Sequence, residues 1–477
     1  MNRLKLLILT GVILLVAGFS LLAINSQPAT AQDEPPDYVG TSECSDCHRD
    51  VVRQHDDTAH ARTLSDDEDA ILANFETGDE ARTVQFPGDE AARPFTADDV
   101  AFVVGTGKYV QRYLFEVDRN EYRVLPAEWD VQAGEWRALT LAESWEDPAY
   151  DWEQSCAYCH VTGYNFERDR WEDDGVYCEA CHGGGENHVE EARDAGRNPS
   201  EEELTTIRGA IQPGSDSQVC GQCHSRGTSA DGRPFPVGYY PGATLTDTFT
   251  LVTLTQTDHW WASGHARQMN MQYNEWVGSA HAQNDTDCTD CHNPHSEAEF
   301  PDQLVSDGYA LCVSCHNQNP AEGSPDPVQE MWEGLPVVDQ VLPEPGIHYL
   351  AEEGPTCATC HTVTVPVDGG GDRVSHALQP ITPTVALTET ALRDSCTICH
   401  DEVSSPALMQ ELIDDIQVNT HTRIDTARAA ITDTTPAWVI TALDFVEHDG
   451  SYGIHNYAYS DALLDAVYEA LNLYAAQ

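Results

Sequence analysis

The sequence predicts a mainly α-helical protein of short helices and long loops, with one small β element near residues 100–136. Three observations lead to this prediction. All 16 cysteines of the 477-residue chain lie in eight copies of Cys-x-x-Cys-His, and two intervening residues fit one helical turn. Residues 461–474 repeat apolar side chains with a helical period, which predicts a closing C-terminal helix. Residues 100–114 and 122–136 alternate apolar and polar side chains, which predicts a β-hairpin or small sheet.

The eight motifs are attachment sequences for c-type haem. Two thiols bond to the haem vinyl groups, and the histidine that follows supplies the proximal nitrogen to iron. An isolated copy could also be a redox pair, a zinc site or a disulfide. Eight copies that use every cysteine exclude these alternatives, so we expect eight covalently bound haems. The motif residues are Cys44, Cys47 and His48; Cys156, Cys159 and His160; Cys178, Cys181 and His182; Cys220, Cys223 and His224; Cys288, Cys291 and His292; Cys312, Cys315 and His316; Cys357, Cys360 and His361; Cys396, Cys399 and His400.

Haems also account for the expected core. Leu, Val and Ile are modest in number for a chain of this length, so the side chains alone would bury little apolar surface. Eight porphyrins supply the missing surface, and we expect helices and loops to wrap around them. Residues 105–108, Gly-Thr-Gly-Lys, lack the first glycine and the Ser/Thr of a phosphate-binding loop, and therefore predict a turn.

The first 31 residues predict an export signal. Arg3 and Lys5 precede an apolar run over residues 6–24, and Ala29-Thr30-Ala31 offers a cleavage site. An uncleaved anchor is the alternative, because the run approaches the length of a membrane span. We expect an exported protein, either periplasmic or extracellular at the cell surface. The motif spacing then predicts three regions. Residues 32–235 contain four motifs and a β insertion, residues 236–330 contain two motifs, and residues 331–477 contain the last two motifs and the C-terminal helix.

The net charge of −56, from 80 acidic and 24 basic residues, limits the partners of the chain. Such a surface repels phosphate backbones and excludes nucleic acid and anionic membrane surfaces as partners. It would also repel itself, and salt screens that repulsion. An acidic, halophilic or marine protein explains the charge better than a docking face for a basic redox partner, which stays as the alternative.

Twelve histidines remain outside the motifs, more than the eight distal positions require. This surplus predicts iron that is mostly ligated by two histidines. His60, His265 and His281 share a Ser/Thr-x-His-Ala setting whose small residues would leave room for a haem face. The other predicted distal ligands are His188, His295, His348, His376 and His455. We interpret His55, His259, His421 and His448 as structural or exposed, with His259 or His448 as replacements, and Met269 and Met271 as core or surface residues.

Several of these stretches resemble a known family. Residues 38–44, 155–163 and 175–183 are similar to multihaem cytochromes of the cytochrome c-554 type, which are related to hydroxylamine oxidoreductase. Residues 288–295 with 312–316 resemble the doubled C-x-x-C-H modules of multihaem cytochromes. The resemblance implies a mainly helical fold with a chain of haems stacked in close pairs, and distal ligation by His60, His188 and His295. This octahaem chain carries twice as many motifs as the four-haem carrier.

The sequence favours an electron-transfer protein over a catalytic oxidoreductase, and we assign no catalytic residue. Its partners would be redox proteins, such as a membrane quinol oxidoreductase or other cytochromes. The alternative is an octahaem oxidoreductase acting on a small nitrogen or sulfur compound, since relatives of this size act on hydroxylamine, nitrite or tetrathionate. Such an enzyme needs an iron with an open distal site. A third hypothesis is a subunit of an extracellular cytochrome filament, built by self-association.

Overall fold

Short helices make up most of the regular structure. The computed structural model describes residues 36–476 except 167, 297–299, 318–325, 353, 401–402 and 404, so the predicted export signal lies outside the described residues. No helix in the described ranges is long and apolar enough to cross a membrane. The α-helices are Thr41–His55, Trp152–Ser155, Ala157–His160, Cys178–His182, Glu186–Ala195, Glu201–Gly209, Ser217–Gly221, Gln272–Trp276, Ala280–Gln283, Cys288–Cys291, Gly308–Val313, Val328–Glu333, Ile347–Leu350, Cys357–His361, Pro383–Thr388, Pro406–Ala429, Ala437–His448 and Tyr457–Ala470. The mainly α fold class is confirmed.

The predicted β element is a six-stranded antiparallel sheet, and it is larger than expected. Five strands lie side by side in the order Leu64–Ser65, Phe102–Val104, Val110–Asp118, Ala127–Asp130 and Glu135–Ala138, and Glu121–Val124 also pairs with Val110–Asp118. The first strand comes from a segment too short to show alternation. Residues 105–108 form the predicted turn, in which Gly105 and Gly107 adopt φ values of 101° and 80°.

The two faces of the sheet bury different side chains, because successive residues of a strand point to opposite faces. Tyr113 packs among Phe95 and Trp136 in an aromatic cluster. Its neighbour Leu114 packs on the other face in a cluster that includes Trp152 and Ala157. Trp152 precedes the second haem-attachment motif and Ala157 lies within it, so this face of the sheet supports that motif.

Four two-stranded antiparallel ribbons connect the motif helices. Their strands are Thr83–Val84 with Arg93–Pro94, Val161–Thr162 with Asp173–Asp174, Gly227–Ser229 with Phe249–Leu251, and Thr364–Pro366 with Asp372–Val374. The last ribbon ends two residues before His376, one of the predicted distal ligands. Short paired strands of this kind fix loops that would otherwise be held by few hydrogen bonds.

The C-terminal region forms a helical core of its own. Helices Pro406–Ala429, Ala437–His448 and Tyr457–Ala470 pack together around buried aliphatic and aromatic side chains. The predicted C-terminal helix is confirmed, but it begins four residues earlier than expected. Asn456 explains the shift, since its side chain accepts a hydrogen bond from the backbone N–H of Tyr459 at 3.2 Å and caps the helix.

Candidate haem-binding sites

Each Cys-x-x-Cys-His motif lies in or beside one helical turn, as its spacing predicts. We number the sites 1 to 8 in chain order, so that site 1 contains His48 and site 8 contains His400. In site 4 the backbone N–H of His224 donates to the carbonyl of Cys220 at 2.9 Å, and site 8 repeats this bond at 3.1 Å. All 16 cysteines are free of disulfides. Both thiols and the histidine of every motif are therefore available to one porphyrin.

Seven motif histidines face a second histidine ring across a gap of about 6 Å. The pairs and their ring-centre distances are His48–His188 at 6.2 Å, His224–His60 at 6.1 Å, His182–His295 at 6.0 Å, His316–His281 at 5.8 Å, His292–His376 at 6.2 Å, His400–His348 at 5.9 Å and His361–His455 at 6.2 Å. Two imidazoles bound to opposite sides of one metal ion, with bonds of about 2.0–2.1 Å as in zinc sites, have ring centres roughly 6 Å apart. The donor sets therefore fit an iron between the rings.

A single large cavity provides the volume that porphyrins need. It measures about 3090 Å³ and is lined by cysteines or histidines of sites 2 to 8. A pocket for one small ligand measures roughly 300–1,000 Å³. The interior thus has room for several large apolar groups, in agreement with a core built mainly by cofactors.

Contacts between cysteines of different motifs define how the sites follow one another. The thiols of four cross-motif pairs lie close enough to raise the pKa of one member of each pair, namely Cys44 with Cys178, Cys159 with Cys223, Cys220 with Cys288, and Cys312 with Cys357. Further pairs lie within electrostatic range, namely Cys181 with Cys220, Cys291 with Cys315, and Cys360 with Cys399. The sites therefore follow the order 1, 3, 4, 5, 6, 7, 8, and site 2 branches from site 4.

Hydrogen bonds fix the protonation of the facing histidines. Nδ1 of His182, His188 and His292 donates to the backbone carbonyls of residues 212, 207 and 302 at 2.7–2.8 Å. A carbonyl only accepts, so the proton stays on Nδ1 and the Nε2 lone pair is free to bind a metal. Burial lowers the pKa of His60 and His376 to about 4, which keeps both imidazoles neutral, as metal ligation requires.

His265 is not placed where the sequence predicted. Its ring is fully buried, and both nitrogens are already used: Nε2 donates to the carbonyl of Gln379 at 3.1 Å, and Nδ1 accepts from Ser263 Oγ at 2.8 Å. No motif histidine faces this ring in the described part of the chain. The structure therefore shows His265 in two hydrogen bonds and not opposite a motif histidine, although its local sequence matches that of His60 and His281.

Site 2 differs from the other seven, because no second histidine ring faces His160 among the described residues. Its ring contacts Trp152, with ring centres 5.8 Å apart, and its Nδ1 bonds to the carbonyl of Thr63 at 3.3 Å. Burial, assisted by the nearby Arg112, lowers the pKa of His160 to about 4. Local sequence gave no sign of this difference, since the motif itself is complete.

The remaining histidines and methionines have structural surroundings. The two ring nitrogens of His55 bond to the carbonyls of Pro294 and Val176, and His421 stacks on Tyr452. Met271 is buried in a small apolar cluster, as predicted. Neither His259 nor His448 is paired with a motif histidine among the described contacts, and His448 lines the large cavity.

Comparisons with known proteins agree with the geometry. The family profile described as cytochrome c554 and c-prime matches residues 131–183, and the profile for the doubled CXXCH motif matches residues 281–321. No curated protein matches the sequence.

Solved structures match over most of the chain. The outer cell wall cytochrome OcwA is 26% identical, with a TM-score of 0.71 over 91% of this chain and 99% of that chain. An undecahaem cytochrome from the S-layer of Carboxydothermus ferrireducens is 20% identical, with a TM-score of 0.53 over 94% and 71%. The octahaem sulfite reductase MccA of Wolinella succinogenes is 12% identical, with a TM-score of 0.49 over 92% and 83%.

Proposed function

We propose that this chain, a multihaem c-type cytochrome by its motifs and structural neighbours, is an exported carrier that passes electrons between redox proteins. The seven facing histidine pairs carry the proposal. An iron held between two histidines has no open position and suits electron transfer rather than substrate chemistry. Each haem, when bound, supplies a one-electron Fe(III)/Fe(II) couple.

The order of the sites supports the same role. Sites 1 and 8 end the series, and each has one exposed cysteine, Cys47 and Cys399, as does site 6 with Cys315. Exposed ends allow a donor and an acceptor protein to approach opposite parts of the chain. The partners would be a membrane quinol oxidoreductase or other cytochromes. OcwA, 26% identical along 91% of this chain, is an outer cell wall cytochrome, which supports a location at the cell surface.

Removal of a central site tests this function. Cys312→Ser with Cys315→Ser removes the attachment thiols of site 6, which lies between sites 5 and 7 in the series. We expect reoxidation of the fully reduced protein by a cytochrome-sized acceptor to split into two phases, because the variant divides the remaining sites into two groups. Cys156→Ser with Cys159→Ser is the matched control, since site 2 lies on a branch, and its reoxidation should keep a single phase. Equal behaviour of the two variants would contradict the proposed series.

Site 2 supports a second function, the reduction of a small nitrogen or sulfur compound. An iron held by His160 alone would keep one position that no histidine of the described chain fills. Arg112 and Arg226 lie near this site, within electrostatic range of Cys156 and Cys159 respectively. These cations favour an anion such as nitrite or tetrathionate over the neutral hydroxylamine.

Ligand binding distinguishes the second function from the first. The reduced protein should bind one carbon monoxide per eight haems, and the Cys156→Ser and Cys159→Ser double variant should bind none. Nitrite reduction, if present, should disappear in the same variant. A wild-type protein that binds neither carbon monoxide nor cyanide would exclude catalysis at site 2 and leave the carrier function intact.

A further inference from the structure

Two neighbouring sites have histidines that donate to carboxylates instead of neutral oxygens. In site 6, Nδ1 of His316 bonds to Oδ2 of Asp326 at 2.5 Å. In site 7, Nδ1 of His455, which faces His361, bonds to Oδ1 of Asp449 at 2.7 Å. By contrast, Nδ1 of His188, His160, His182 and His292 bonds to a backbone carbonyl, and Nδ1 of His224 bonds to the side-chain amide of Gln272.

The Asp449 carboxylate is held in place for this contact. Its side chain is fully buried, with 0% exposure, while that of His455 is 19% exposed. Oδ2 of Asp449 accepts from the backbone N–H of Ser451 at 3.3 Å and from the Ser451 hydroxyl. That hydroxyl oxygen also accepts from the backbone N–H of His455 at 3.0 Å. Residues 449–455 therefore form a closed loop that fixes the carboxylate against the imidazole.

The two carboxylates serve adjacent sites. Sites 6 and 7 are joined by the contact between Cys312 and Cys357, and Asp326 also lies within electrostatic range of His455. The side chain of Asp326 is 31% exposed, so solvent weakens its field more than that of the buried Asp449. Each carboxylate increases the electron density on the imidazole that it contacts, and the two imidazoles belong to adjacent sites in the series.

We propose that Asp326 and Asp449 lower the reduction potentials of sites 6 and 7, relative to the potentials that these sites would have with neutral acceptors in the same positions. A carboxylate that accepts a hydrogen bond from Nδ1–H makes Nε2 of the same imidazole donate its lone pair more strongly to iron. A stronger donor stabilises the ferric state more than the ferrous state, which lowers the potential. Because sites 6 and 7 are adjacent, both shifts fall on one stretch of the series. The inference rests on the proposed ligation by histidine pairs.

Asparagine variants test the inference, because Asp449→Asn and Asp326→Asn keep the shape of the side chain and remove its charge. We expect each variant to shift the midpoint of one haem to a more positive potential in a spectroelectrochemical titration, with the larger shift for Asp449→Asn. Asp444→Asn is the matched control. Asp444 lies on the helix that precedes Asp449 and is ion-paired to Arg428 at 2.6 Å. Its replacement by asparagine removes the same charge as Asp449→Asn.

The outcomes are distinct. A shift in Asp449→Asn that exceeds the one in Asp444→Asn supports a direct effect through His455. Equal shifts in both variants, or none in Asp449→Asn, would overturn the proposal. A direct effect also requires that each variant keeps the haem number of the unmodified protein, measured by mass, and its low-spin signal in electron paramagnetic resonance. If the unmodified protein shows no low-spin signal, the proposed ligation by histidine pairs is itself contradicted. If Asp449→Asn fails to fold, the partly exposed Asp326→Asn gives the same test at site 6.

Discussion

The replacement His60→Ala tests the assignment of distal ligands most directly. His60 is buried and its ring centre lies 6.1 Å from that of His224, at right angles to it. Alanine cannot bind a metal, so the site 4 iron would lose its sixth ligand. We expect this iron to become high-spin and to bind carbon monoxide or cyanide. The covalent haem count should stay the same, since the Cys220 and Cys223 thiols are untouched.

The size of the effect follows from the number of histidine pairs. Seven pairs and one unpaired motif histidine predict seven low-spin haems and one high-spin haem in the unmodified protein. His60→Ala should lower the low-spin signal by about one seventh and double the high-spin signal. Carbon monoxide uptake should rise from one to two per chain. Spin quantification by electron paramagnetic resonance and a carbon monoxide titration measure these changes independently.

His265→Ala is the matched control, because His265 has the same Ser/Thr-x-His-Ala setting and is also buried. Its loss removes the hydrogen bonds to Ser263 and Gln379 and should cost about 1–3 kcal/mol of the free energy of unfolding, without any new high-spin signal. A new high-spin haem in His265→Ala, or none in His60→Ala, would refute the assignment of the pairs.

Three further predictions concern the whole protein. The intact mass of the exported chain should show eight haem additions, and fewer than seven would defeat the assignment of the motifs. Because the net charge is −56, the free energy of unfolding should rise from about 0.1 M to 1 M salt as the screening length falls from about 10 Å to 3 Å, and greatest stability at low salt would contradict a halophilic protein. Arg82→Leu should destabilise the β region, since the buried guanidinium donates to the carbonyls of Phe75, Thr77 and Phe95, each costing about 1–3 kcal/mol when unsatisfied. Faster cleavage of the β region by a protease, with an unchanged haem spectrum, would locate the effect there. A variant that resists the protease as well as the unmodified protein would contradict the prediction.

The distal ligands show how far sequence reasoning reaches. Seven of the eight predicted distal histidines lie opposite a motif histidine, but the sequence could not show which motif each one serves. His60 faces site 4 rather than the nearby site 1, and His188 faces site 1 rather than site 3. Such crossings depend on long-range packing, which leaves no local pattern. The contact of His265 Nε2 with the carbonyl of Gln379 at 3.1 Å also joins residues that are distant in sequence, so the local pattern could not show it.

The carboxylate partners were also hidden from the sequence. In a chain with 80 acidic residues, nothing local distinguishes Asp326 and Asp449 from the others. Burial and a fixed loop give Asp449 its contact with His455, and both arise only when the C-terminal helices pack. The same holds for site 2, where Trp152 and no described histidine ring contacts His160 in the assembled interior.

The sequence by itself determined the covalent chemistry, the short helices of the motifs, the alternating strands and the acidic surface. Each of these depends on residues that are close together in the chain or on composition alone. The tertiary structure decided which histidines face each other, at which site no described histidine faces the motif histidine, and the order of the sites. Those features require groups that are distant in sequence to meet at about 6 Å, and only the folded chain brings them to that distance.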